Sequence, residues 1–235
     1  MTGEPPYHPM RVAEAWDETE TMRAIRLDFG ALAAAHTRPG QVVKLHAPEH
    51  RPGYFAIGNA PRGDGTGELL LKRGTPLADA IITVAQPGRF IDATAPFGEG
   101  FPIEAARGRD VLLFAAGSGI TPIRALLQYV LDHRAAHGRV ALYYGQRSDR
   151  DFAYVGDHGG WERAGVHLVL CASQASPTWT GARGYVQTVA SELKLHEIST
   201  ENAVAFLCGM KSMIDGVRVE LVRFGLPAER TFLNF

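Results

Sequence analysis

Cysteine is scarce: Cys171 and Cys208 are the only two among 235 residues. Two thiols exclude a disulfide-stapled scaffold, and they fall short of the four thiolates that hold an iron–sulfur cluster. Any redox chemistry therefore needs an organic cofactor or a partner. Charge imbalance is also lacking: 24 Lys and Arg against 25 Asp and Glu leave a formal net charge of −1. No bulk field invites a nucleic acid or an anionic membrane. No apolar run nears the roughly 20 residues of a membrane-crossing helix. The opening MTGEPPYHPM has no basic and then apolar order of a signal peptide. A cytoplasmic protein without a membrane span is expected. Repeats and low-complexity tracts are missing too. His133 and His137 stand four apart, but no third ligand accompanies them; a place near a helix C-terminus suits them better than a metal, and no metal site is expected.

What is present is 46% hydrophobic residues, enough at this length for two modest domains or one large one. From His8 to about Ala95, short extended runs are broken by glycine and proline: 10–17, 21–29, 41–46, 54–59, 68–72 and 90–94. Pro76 to Thr83, with Leu77, Ala80 and Ile81, reads as a short helix. Six such strands predict an antiparallel barrel. After PFGEGFP and a charged, alanine-rich stretch the pattern changes to alternating strand and helix. Strands are expected at 111–116, 140–145, 166–171, 203–208 and 231–235, with helices from Pro122 and over 185–193 and 211–224. This predicts a doubly wound five-stranded parallel sheet, so the chain divides into a barrel at 1–103 and an α/β domain at 104–235. Ligands in such sheets sit at the carboxyl ends of the strands, where Gly117, Gly145, Cys171 and Cys208 fall.

Val111 to Pro122, VLLFAAGSGITP, carries the first chemical signal. A strand apolar on both faces runs into a turn with two glycines around Ser118, then into a helix that Thr121 can cap and in whose first turn Pro122 fits. Free backbone N–H groups and a helix dipole at one spot suit a phosphate. Tight strand-to-helix turns also need glycine without any ligand. The spacing is not that of a nucleophile elbow, which would need glycine at Ala116 and Ile120. Cys208 reads as a small buried residue at a strand end or as a wall of the same site, and Cys171 as core.

Several motifs agree in order along the chain. GSGITP (Gly117, Ser118, Gly119, Ile120, Thr121, Pro122), then Tyr143-Tyr144-Gly145-Gln146-Arg147, WTGARGYV at 179–186, and Cys208-Gly209-Met210 with Met213 resemble the ferredoxin–NADP reductase family of flavin oxidoreductases. In the barrel, Phe55-Ala56-Ile57-Gly58-Asn59 and Pro96 to Phe101 sit where that family places its flavin segment and inter-domain loop. The resemblance implies FAD, with FMN less favoured, bound by Tyr54, Phe55, Ala56, Ile57, Gly58, Lys72, Gly74 and Thr75. Phe235 would either stack on the flavin or simply end an edge strand. It implies NAD(P)H as electron donor, its pyrophosphate over the 118–121 turn and its ring beside Cys208, the candidate catalytic residue. There the thiol positions and desolvates the ring and is not a nucleophile. Arg147, where an acidic residue would favour NAD, leans the reading slightly to NADPH, with Ser173 and Arg183 nearby and Gln174 where a basic residue is common.

The chain departs from the family in its flavin segment. The usual Arg-x-Tyr-Ser reads Gly53, Tyr54, Phe55, Ala56, and Ala78 replaces a serine at the start of the barrel helix. Backbone N–H groups at that helix start, or Lys72 and Arg73, are the substitutes. The resemblance implies hydride transfer from NAD(P)H to FAD, with electrons passing to a small acceptor protein or small molecule. The alternative is an electron-transfer accessory subunit of the same fold that has lost flavin. A hydrolase using Ser118 is a third, weaker reading.

Overall fold

The computed structural model describes residues 5–192, 195 and 198–234. The first domain holds β1 (Tyr7–Asp17), β2 (Met22–Asp28), β3 (Val42–His46), β4 (Gly53–Ala56), β5 (Thr66–Lys72), α1 (Pro76–Val84) and β6 (Phe90–Thr94). The strand order is β4-β3-β6-β1-β2-β5, and an antiparallel bridge from Ile57 to Leu69 closes it into the expected barrel. Val12, Ile25, Leu27, Val43, Leu45, Leu69, Leu71 and Ile91 fill the interior. Ile81 and Ile82 of α1 pack onto this core and Thr75 caps the helix, its Oγ1 accepting the Ala78 N–H.

The second domain holds β7 (Asp110–Ala116), α2 (Ile120–Asp132), β8 (Val140–Gln146), α3 (Val155–Arg163), β9 (Val166–Ala172), β10 (Ala182–Arg183), α4 (Val186–Glu192), β11 (Ala203–Cys208), α5 (Lys211–Arg223) and β12 (Thr231–Leu233). Its parallel sheet runs β10-β9-β8-β7-β11-β12: the five expected strands plus the two-residue β10 at one edge. Strand alternation divides the core in two. Val111, Leu113 and Ala115 pack under α2 and α3, while Leu112, Phe114 and Ala116 pack under α4 and α5. The chain leaves β7 toward β8 and later returns to β11 on the other side. That reversal puts the topological switch point between β7 and β11.

Three local expectations are corrected. Thr121 does not cap α2: the chain passes Gly117–Gly119 in a 3-10 turn, the helix starts at Ile120, and Thr121 is buried with its Oγ1 donating to Ser118 O at 2.8 Å. No side chain caps this turn. Helix α3 is an addition, hidden in the sequence by Gly156, Gly159 and Gly160, which carry low helix propensity. Residues 57–59 leave β4 early, since Gly58 N–H already donates to Glu68 O at 2.7 Å outside the strand.

The barrel meets the α2 face of the sheet, where Met22, Ala24 and Leu70 join the core of the second domain. Polar contacts flank this seam. Thr21 Oγ1 donates to Asp151 at 2.9 Å, and Glu18 accepts the Tyr154 N–H. Among the described residues no helix is long and apolar enough to cross a membrane.

Candidate functional site

One cleft of about 1390 Å³ opens between the domains at the switch point. That exceeds the space one drug-sized ligand takes, roughly 300–1,000 Å³. Both domains line it.

On the α/β side the turn after β7 contributes Gly117, Ser118, Gly119, Thr121 and Pro122. Gly117 has φ +59, and a Cβ there would meet nothing within 4 Å, so only backbone conformation demands glycine. Gly119 is demanded by packing, because its Cβ would lie 2.3 Å from Cys208 O. The end of β11 thus runs hard against the turn, and the two motifs, far apart in the chain, become neighbours. Gly209 is closed in the same way, with Met213 Cε at 2.7 Å and Ala116 N at 3.1 Å from a Cβ position. Cys208, Gly209, Met210 and Met213 all reach the cleft, Met213 from its buried place on α5.

Burial pushes the Cys208 thiol up to about 12, so it stays protonated and uncharged at neutral pH. Cys171 is pushed up to about 12 for the same reason. It is buried on β9, separated from β11 by β8 and β7, its Sγ 3.6 Å from Tyr144 O beneath Gly145, and does not line the cleft. Gly145, Gln146 and Arg147 form the floor at the end of β8. Arg147 Nε donates to Gln174 Oε1 at 2.8 Å, and Ser173 stands beside them. Arg183 does not line the cleft and donates to the carbonyls of Ala175, Ser176 and Trp179, fixing the loop before β10.

On the barrel side the cleft is lined by Tyr54, Phe55, Ala56, Lys72 and Thr75. Tyr54 is 61% exposed, with its ring 6.0 Å from Phe97 and Lys44 Nζ 5.0 Å from its centre. Gly53 faces α1: a Cβ would lie 2.7 Å from Leu77 Cδ2, so an aliphatic side chain covers the place of the family's arginine. At the start of α1, Pro76 has no N–H, the Ala78 N–H goes to Thr75 Oγ1 at 3.4 Å, and Gly74 N–H goes to Asp79 at 3.0 Å. Lys72 is the one cation that the barrel brings to the cleft among the described residues.

Four expected residues are placed elsewhere. Ile57 is fully buried in the barrel, Gly58 is buried under Thr121 and Tyr154, Ile120 is in the core under α2, and Gly74 turns at φ +93 beside Asp79. Phe235 lies outside the described residues. The cleft also takes Tyr185, which lies within the 179–186 motif without having been singled out, and Leu70, Ala78 and Gln187, which belong to no motif by which sequence could single them out. Tyr185 follows Gly184, whose φ of +123 turns the chain into α4 at the rim. His133 Nδ1 is 2.9 Å from Tyr129 O and its ring stacks on Tyr129, while His137 Nδ1 is 2.9 Å from Ala106 O. Among the described residues no three His, Cys, Asp or Glu side chains gather as a metal site.

Residues 113–219 match the oxidoreductase NAD-binding domain. Ferredoxin–NADP reductase B of Sorangium cellulosum is 30% identical over 186 residues, covering 77% of this chain and 75% of that protein. Sulfhydrogenase 1 subunit gamma of Pyrococcus furiosus is 26% identical, covering 100% of this chain and 82% of that protein. Among solved structures, a ferredoxin NADP+ reductase from Neisseria gonorrhoeae with bound FAD and NADP superposes with a TM-score of 0.82 at 15% identity, over 99% of this chain and 100% of that one.

Proposed function

The chain belongs to the ferredoxin–NADP reductase family of oxidoreductases, and on that premise we propose that it transfers a hydride from NAD(P)H to a bound FAD. The observation that carries this reading is a cleft lined by both domains, with Cys208 on one wall and Ala56 and Leu70 on the other. When bound, the flavin supplies two-electron acceptance from the nicotinamide and onward release to an acceptor, which the names of the relatives suggest is a small redox protein.

The two walls divide the work. The turn at Ser118 to Thr121, uncapped by any side chain, would hold the pyrophosphate. Arg147 and Ser173, at the ends of β8 and β9, would receive the ribose, and an arginine there suits the extra phosphate of NADPH. Cys208, neutral and mostly buried, would press on the nicotinamide face and exclude water without bonding to it. Phe55, Ala56 and Leu70 would form the apolar wall for the flavin ring, with Lys72 its phosphate partner. Protein purified and titrated with FAD, then with FMN, should gain a bound-flavin absorption band, stronger with FAD. A colourless protein that gains no band would sink the proposal.

A second reading has its own observation. Leu77 closes the arginine position at Gly53, and Asp79 brings negative charge to the start of α1. A chain that binds NAD(P)H tightly but reduces no artificial dye would instead be an electron-transfer accessory subunit.

A further inference from the structure

Behind the cleft, a row of polar contacts joins the domains along one face of α2. Thr121, Arg124, Gln128 and Asp132 lie at successive turns of that helix. Thr121 Cγ2 is 3.0 Å from the position of a Cβ on Gly58. Arg124 Nη1 donates to Gly58 O at 2.9 Å, and Gln128 Oε1 accepts the Ala60 N–H at 2.9 Å. Asp132 accepts two bonds from Arg62, at 2.9 and 2.8 Å. The segment that continues directly from the cleft residues Tyr54–Ala56 is therefore laid, turn by turn, on the helix whose first turn is the opposite wall.

Arg124 is the centre of this contact. Nη1 also donates to Glu68 Oε1 at 3.1 Å, and Nε donates to Asp157 Oδ2 at 2.7 Å. Its guanidinium carbon lies 4.2 Å from the centre of the Tyr154 ring. The Arg124 and Glu68 side chains are only 11% and 6% exposed, so this is a buried ion pair and not a solvated surface contact. Glu68 Oε2 faces a second guanidinium, that of Arg26, at 3.5 Å. Tyr154 takes a left-handed conformation at φ 62, with its N–H held by Glu18 of the barrel. Its hydroxyl lies 3.0 Å from the same Cβ position on Gly58. Buried pairs add little net stability, but a planar fork bonded to three elements at once fixes their mutual orientation.

We propose that Arg124 is a positioning residue, which through Glu68, Asp157 and the Gly58 carbonyl sets the separation and angle of the two walls of the cleft. The inference rests on the reading that the walls hold donor and acceptor of a hydride. A displacement of about 1 Å at such a site costs up to ~100-fold in rate.

Two variants test it in flavin-loaded protein. Arg124→Met keeps the stem and removes the fork, while Glu68→Gln keeps the shape and removes the charge. Single-turnover flavin reduction by NADPH should slow by about tenfold or more in Arg124→Met and less in Glu68→Gln, with FAD and NADP+ dissociation constants unchanged. Arg124→Lys should fail to restore the rate, because an ammonium cannot reproduce the fork. An unchanged rate, or losses of rate and binding in equal measure, would overturn the proposal. Should Arg124→Met not fold, Glu68→Gln decides alone. Should the parent protein take up no flavin, the functional reading fails by itself, and amide hydrogen exchange decides the positioning. Faster exchange across residues 58–62 and the first turn of α2 supports it, and unchanged protection overturns it.

Discussion

On the α/β side of the cleft the wall includes the bare backbone of a glycine turn, whereas on the barrel side the Ala78 N–H at the start of α1 goes to Thr75 and the Gly74 N–H just before the helix goes to Asp79. The first wall depends on where the backbone runs, and close packing of Gly119 on Cys208 enforces it. The second depends on side chains, and Gly53, Phe55, Ala56 and Ala78 stand where the family usually has polar ones. A backbone site can be damaged only by breaking the fold locally, but a side-chain site can be rebuilt with another residue. Lys72 is the residue in place to do so.

The strongest consequence separates the two glycines of the turn. Gly119→Ala places a methyl 2.3 Å from a backbone oxygen that cannot yield, so chemical unfolding should show a loss of about 3 kcal/mol and nucleotide titration no binding. Gly117→Ala meets open space and bears only the left-handed backbone cost, about 1 kcal/mol. If Gly117→Ala were the worse of the two, close packing would not be what enforces this wall.

Acid should separate the domains next. Burial pushes the barrel's His36 down to about 4, and its ring packs edge-on to Phe29. The folded state binds that proton more weakly than the unfolded chain, so stability is complete above pH ~6.5 and falls as pH drops toward 4, by as much as about 3 kcal/mol. His158 in the second domain is lowered also by burial, though its hydrogen bond to Ala153 O and nearby acids oppose this. Hydrogen exchange at pH 5 should therefore show barrel amides losing protection first. His36→Asn should remove most of that difference.

Smaller effects test the two cations. Lys72→Gln should weaken FAD about tenfold and leave NADPH binding unchanged. Arg147→Gln should lower the preference for NADPH over NADH about fivefold and leave FAD unchanged. Crossed effects would mean that the walls do not act separately.

Legibility in the sequence follows the same division. The strands of the sheet were readable because runs such as Val111–Ala116 are buried on both faces, and the glycine turn because conformation at Gly117 and close packing at Gly119 need those residues. Helix α3 was hidden by its glycines, and the capping role expected of Thr121 gave way to a 3-10 turn whose start no side chain marks. Leu70 and Ala78 reach the cleft as ordinary apolar residues of β5 and α1. The contacts of Arg124 join residues up to 66 positions apart, and no local pattern encodes such a pairing. Leu77 over Gly53 is likewise visible only in three dimensions, although the missing arginine was plain in the sequence.

Whether the two walls bring a donor and an acceptor together is decided by anaerobic mixing of FAD-loaded protein with NADPH while the flavin's visible absorption is followed. The absorption should bleach in a single fast phase, which Cys208→Ala slows without weakening NADPH binding. A flavin that stays oxidised while NADPH is bound at saturation would contradict hydride transfer across this cleft.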